Sequence, residues 1–69
     1  MSVFATRLRE LRKEKKLSMR ELAKAINSSE AIISYWESDI NEPKISHIIK
    51  LAKFFDVSAD FLLGLKDEA

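Results

Sequence analysis

The sequence predicts an all-α fold, and three observations carry that expectation. Apolar residues recur at i, i+3 and i+4 in five separate stretches, the period of a helix that buries one face. Serines stand just ahead of four of these stretches, at Ser2, Ser18, Ser29 and Ser58, where a hydroxyl can accept from the first free backbone N–H groups of a helix. No stretch alternates apolar and polar residues as a strand does, and the connections are short.

The first helix is expected over residues 3–15, with Phe4, Leu8 and Leu11 on its apolar face. Lys15 and Lys16 sit near the negative end of its dipole, and Leu17 is an apolar plug before the next cap. The second helix covers residues 19–26. Ser18 caps it, Glu21 three residues later completes a capping box, and Leu22, Ala23 and Ile26 form its stripe. Asn27 tolerates a left-handed backbone and can end this helix without glycine. Ser29 then caps a third helix over residues 30–37, whose Ile33 and Trp36 face inward. A junction this short makes the second and third helices cross steeply. That is a helix-turn-helix unit, whose second helix is presented to the major groove of DNA.

Residues 38–44 contain Asp39, Asn41 and Pro43 and read as a loop. A fourth helix over residues 45–55 places Ile45, Ile48, Leu51, Ala52 and Phe55 on one face, and Asp56 ends it. Ser58 caps a short fifth helix over residues 59–63, and the only glycine, Gly64, stands at its stop. Residues 65–69 form a short polar tail. The whole chain, residues 1–69, is expected to be one domain.

Composition narrows the function. There is no cysteine for a thiolate site, and the single histidine, His47, cannot build a metal centre and is expected on a solvated helix face. No Gly-rich phosphate loop and no nucleophile–base set is present, so neither an enzyme nor a cofactor is expected. No apolar run approaches the ~20 residues of a membrane span, so a cytoplasmic protein without membrane or small-molecule partners is expected. The net charge of +1 hides an asymmetry. Residues 1–26 carry eight Lys and Arg against three acids, and residues 27–69 carry four Lys against eight acids. A polyanion partner favours such a distribution, although a solvated helix laced with charge pairs would also show it.

The residues Leu8-Arg9-Glu10-Leu11-Arg12, Leu17-Ser18, Glu21-Leu22-Ala23, Ile33-Ser34, Trp36-Glu37, Pro43, Leu51-Ala52, Val57-Ser58 and Leu62-Leu63-Gly64 occur in one joint order. In that order the chain resembles the lambda repressor-like, Cro/C1-type (XRE family) helix-turn-helix domains of phage repressors and small bacterial regulators. The resemblance implies a compact five-helix domain that binds double-stranded operator DNA in a sequence-specific way, as part of a small transcriptional regulator, a repressor. It also implies a two-fold homodimer addressing half-sites ~34 Å apart.

Carried over residue by residue, the resemblance assigns base contacts to Glu30, Ala31, Ser34 and Tyr35, and backbone contacts to Met19, Arg20, Ser29, Ser38, Asn41 and Lys44. It pairs Arg12 with Glu37 as a structural salt bridge. Glu30 suits cytosine N4 and equally the positive N-terminus of the third helix, Ala31 suits a thymine methyl, and Tyr35 has a hydroxyl to donate. Ile32 is either half-buried or a DNA contact. The chain also departs from the family pattern. Met19 replaces the usual glutamine, and residues 30–37 hold no Arg, Lys, Gln or Asn. Neutralisation of phosphates then falls to Lys13, Lys16, Arg20, Lys24 and Lys44, which implies modest monomer affinity and reliance on dimerisation. Ile49, Phe54, Phe61 and Leu65 lie outside the core stripes and are expected at a dimer interface. The rival function is a protein-interaction module on the same fold, antitoxin-like or anti-repressor, which the same apolar residues would serve.

Overall fold

The computed structural model describes residues 2–69, and these form five helices with no strand. They are α1 (Val3–Glu14), α2 (Met19–Ala25), α3 (Glu30–Glu37), α4 (Ile45–Phe55) and α5 (Ala59–Leu63). Two boundaries shorten by one residue: Lys15 is the C-cap of α1 and Ile26 that of α2. Ile26 nevertheless stays buried.

Four helices start as their serines dictate. The hydroxyls of Ser2, Ser18, Ser29 and Ser58 accept from the N–H groups of Ala5, Glu21, Ile32 and Phe61 at 3.0–3.2 Å. At α2 the box is complete, because the Ser18 N–H donates to Glu21 Oε1 at 2.8 Å. That bond holds the Glu21 carboxyl below the ordinary value of 4.5. A carboxylate whose pKa falls on folding stabilises above its unfolded pKa and loses the contribution as pH drops through the folded one. Glu21→Gln is therefore expected to leave the neutral-pH melting temperature nearly unchanged. The small advantage of the native chain should disappear below pH 4.5 in melting curves taken from pH 6 to pH 2.

The helices also stop in one way. Lys16, Asn27, Asp39, Asp56 and Gly64 follow or form the C-caps with φ between 56° and 82°, the left-handed region. In each case the N–H of the next residue reaches back five residues to a carbonyl of the last turn. These bonds run from Leu17 to Arg12, Ser28 to Ala23, Ile40 to Tyr35, Val57 to Ala52 and Leu65 to Asp60, at 2.8–3.1 Å. This is the Schellman motif, which satisfies carbonyls the helix leaves free and turns the chain sharply. Only Gly64 does so without a Cβ, and a Cβ there would meet the Val3 side chain at 3.0 Å.

The sharp turns bring the apolar stripes together. Phe4, Leu8, Leu22, Ala23, Ile26, Ile33, Trp36, Ile48, Leu51, Phe55 and Leu62 form one core. α3 lies against α2 and α1, while α5 lies against α1 and α4. Two expectations are corrected. Ile45 is 80% exposed, because at the first position of α4 it falls on the Ile49 side, away from Ile48, Leu51 and Phe55. His47 is half-buried with its ring edge-on to Trp36, centroids 5.1 Å apart, since its place in the first turn of α4 abuts α3.

Candidate nucleic-acid interface

α3 is fixed from three sides and bare on the fourth. Ile33, Trp36 and Glu37 are buried, whereas Ala31 and Tyr35, four residues apart on the opposite face, are exposed. Glu30 is exposed beside them and Ser34 is half-buried. The four residues predicted to contact bases thus share the outer half of one helix.

Of the residues predicted at the DNA backbone, Arg20, Ser38, Asn41 and Lys44 are exposed. Met19 is partly buried against the core, which leaves its backbone near the α2 N-terminus as the polar feature it can offer. Ser29 spends its hydroxyl on the Ile32 N–H, and its place at the start of α3 is that of a cap. Asn41 and Lys44 are brought to the flank of α3. With Ile32, Trp36, Glu42 and His47 they line a hollow of about 280 Å³. Ile32 is half-buried there, packed on the core from its edge.

The orientation of α3 depends on Glu37, which has no exposed surface. Arg12 donates from Nε to Glu37 Oε2 at 2.6 Å and from Nη2 to Oε1 at 2.9 Å, a bidentate pair. Its Nη1 donates to the Leu17 carbonyl at 2.9 Å, so one guanidinium ties α1, the α1–α2 turn and α3. The bonds to Glu37 raise the Arg12 pKa further and keep it charged. Arg9 also reaches Glu37, a contact not expected from the sequence. Its signal was the i, i+3 spacing to Arg12, which puts both on one face of α1.

The four residues predicted for a dimer contact do not share one patch. Phe54 is edge-on to Phe55 with centroids 5.0 Å apart, and Phe61 lies beneath the Arg7 guanidinium at 4.1 Å. Leu65 is 74% exposed. Ile49 instead joins Val3, Ile45 and Leu63 along a groove of about 510 Å³ between α4, α5 and the start of α1, with Asp39 and Glu42 also lining it. An apolar stripe of this kind is visible in sequence only once the α4 and α5 faces are placed side by side.

The fold has counterparts among known proteins. A family model described as Helix-turn-helix matches residues 8–62. The chain belongs to the helix-turn-helix family. It is 36% identical over 66 residues to YobD of Bacillus subtilis (strain 168), an uncharacterised HTH-type transcriptional regulator, covering 96% of this chain and 59% of that protein. It is also 36% identical over 62 residues to the HTH-type transcriptional regulator ImmR of the same organism, covering 90% and 48%. The chain thus spans about half the length of these curated relatives. Among solved structures, the P22 c2 repressor in complex with a synthetic operator superposes with a TM-score of 0.85 at 32% identity, covering 91% of this chain and 96% of that one. The N-terminal DNA-binding domain of SinR from Bacillus subtilis gives 0.81 at 31%, covering 87% and 88%. No helix among the described residues is long and apolar enough to cross a membrane.

Proposed function

We propose that this helix-turn-helix domain reads double-stranded operator DNA for a transcriptional regulator, a repressor, with α3 lying in the major groove. The observation that carries this reading is the bare outer face of α3, held rigidly from behind by Trp36 and Glu37. The likeness to a repressor solved on its operator supports it. Ala31 meets thymine methyls, Glu30 accepts from cytosine N4, and Ser34 and Tyr35 complete the base contacts. Arg20, the Met19 backbone, Ser29, Ser38, Asn41 and Lys44 hold the phosphates.

Glu30 and Glu37 are the only charges on α3, so affinity comes from cations around it. Fluorescence anisotropy against duplexes selected from a random pool tests this. Binding should weaken steeply with salt, and Arg20→Ala should lower the slope of log K against log salt by about 1. No binding at micromolar protein in 50 mM salt would remove the reading.

Two copies joined through the Val3–Ile45–Ile49–Leu63 groove would compensate for the weak single contact. Dimers of this motif address half-sites ~34 Å apart. Equilibrium sedimentation of the native chain should show a dimer that Ile45→Glu with Ile49→Glu converts to monomer. A native chain that stays monomeric at several hundred micromolar rules this dimer out.

A further inference from the structure

We propose that Arg9 is a positioning residue for α3, a cation supplied by α1 to the C-terminal end of the helix that carries the reading face. The last carbonyls of a helix lack partners and hold its negative pole, which a nearby cation stabilises. α3 has no basic residue in its own last turn. Arg9 supplies one from outside: its Nη2 donates to the Glu37 backbone carbonyl at 3.3 Å, and its Nε lies 3.6 Å from Glu37 Oε1.

Arg12 and Arg9 divide the work. Arg12 occupies both carboxylate oxygens of Glu37 and the Leu17 carbonyl, but makes no bond to the α3 backbone. Arg9 is the guanidinium that holds the helix end itself. The turn it holds is the one that matters for reading. Ile40 N–H bonds back to the Tyr35 carbonyl at 2.9 Å, Asp39 N–H to Trp36 and Ser38 N–H to Ser34. Fraying of that turn displaces Tyr35, Ser34 and Ser38 together. The Arg9 side chain is 41% exposed, whereas that of Glu37 is 1% exposed. By exposure alone Arg9 resembles a phosphate-binding arginine. Its contacts assign it to the protein.

The functional half of this inference rests on the DNA reading above, and the structural half does not. The test uses Arg9→Ala and Arg9→Lys in the full chain. Amide hydrogen exchange by NMR should show Ser38, Asp39 and Ile40 exchanging about two- to fivefold faster in Arg9→Ala, the range expected for a lost cation at a helix end. The Leu22 and Leu51 amides should keep their native rates, and Arg9→Lys should recover part of the protection. Equal acceleration at every amide, or none at Ser38–Ile40, overturns the proposal.

Against a duplex that the native chain binds, Arg9→Ala should weaken binding while leaving the salt slope unchanged. A slope lower by about 1 would make Arg9 a phosphate contact instead. If the native chain binds no duplex, the DNA reading fails, and the exchange data still decide the role of Arg9.

Discussion

Arg12→Met is expected to destabilise the domain by about 3–5 kcal/mol, because it leaves a fully buried carboxylate without its bidentate partner. Small domains hold only about 5–15 kcal/mol in total. At roughly 4–8 °C per kcal/mol for a chain of this size, the midpoint should fall by roughly 12 °C or more. Arg9 offsets little, since its nearest approach to the carboxylate is 3.6 Å and its side chain is 41% exposed to screening solvent. The double variant Arg12→Met with Glu37→Leu should recover much of the loss, since it removes the stranded charge along with its partner. Urea unfolding of the three proteins checks both statements. A loss under 1 kcal/mol for Arg12→Met would mean that water reaches Glu37 readily, and α3 would not be clamped as described.

Trp36→Ala should cost a similar amount, about 3–5 kcal/mol, through the cavity it opens behind α3. Trp36 is 2% exposed. It meets Phe4 edge-on at 6.2 Å and His47 at 5.1 Å, so α1, α3 and α4 converge on this one ring. Trp36→Phe keeps an aromatic ring at that junction and should recover a large part of the stability. Thermal melts followed by circular dichroism distinguish the cases. If Trp36→Ala melts within a few degrees of the native chain, α4 does not depend on this contact to reach α3.

These two residues also show what was legible in the sequence. Trp36 was recognisable as core from its i, i+3 spacing to Ile33, and the four serine caps from their place before apolar stretches, because these are local rules. Asn27, Asp56 and Gly64 were recognisable stops for the same reason. Lys16 and Asp39 were not. Nothing about a lysine announces a left-handed residue, and its conformation follows from the Leu17 N–H reaching the Arg12 carbonyl.

What the sequence concealed was mostly the pairing of faces. Ile45 fitted the α4 stripe by spacing, yet at the first position of α4 it falls on the exposed Ile49 side and is 80% exposed. Phe54 and Phe61 looked like free apolar surface, although Phe55 and Arg7 lie against them. The second cation on Glu37 was signalled only by its i, i+3 spacing to Arg12, and its partner needed the register between α1 and α3. The residues assigned to base contacts had the opposite character. Glu30, Ala31, Ser34 and Tyr35 were placed by resemblance to a family, and the structure adds that they share the outer half of α3 while Ile33, Trp36 and Glu37 hold it from behind.

NMR titration of the labelled chain with a selected duplex tests whether this outer half of α3 is the proposed DNA-reading surface. The largest amide shifts are expected at Met19, Arg20 and Glu30–Tyr35, with smaller ones at Asn41 and Lys44. Shifts confined to Val3, Ile45, Ile49 and Leu63, or absent at stoichiometric duplex, would contradict it.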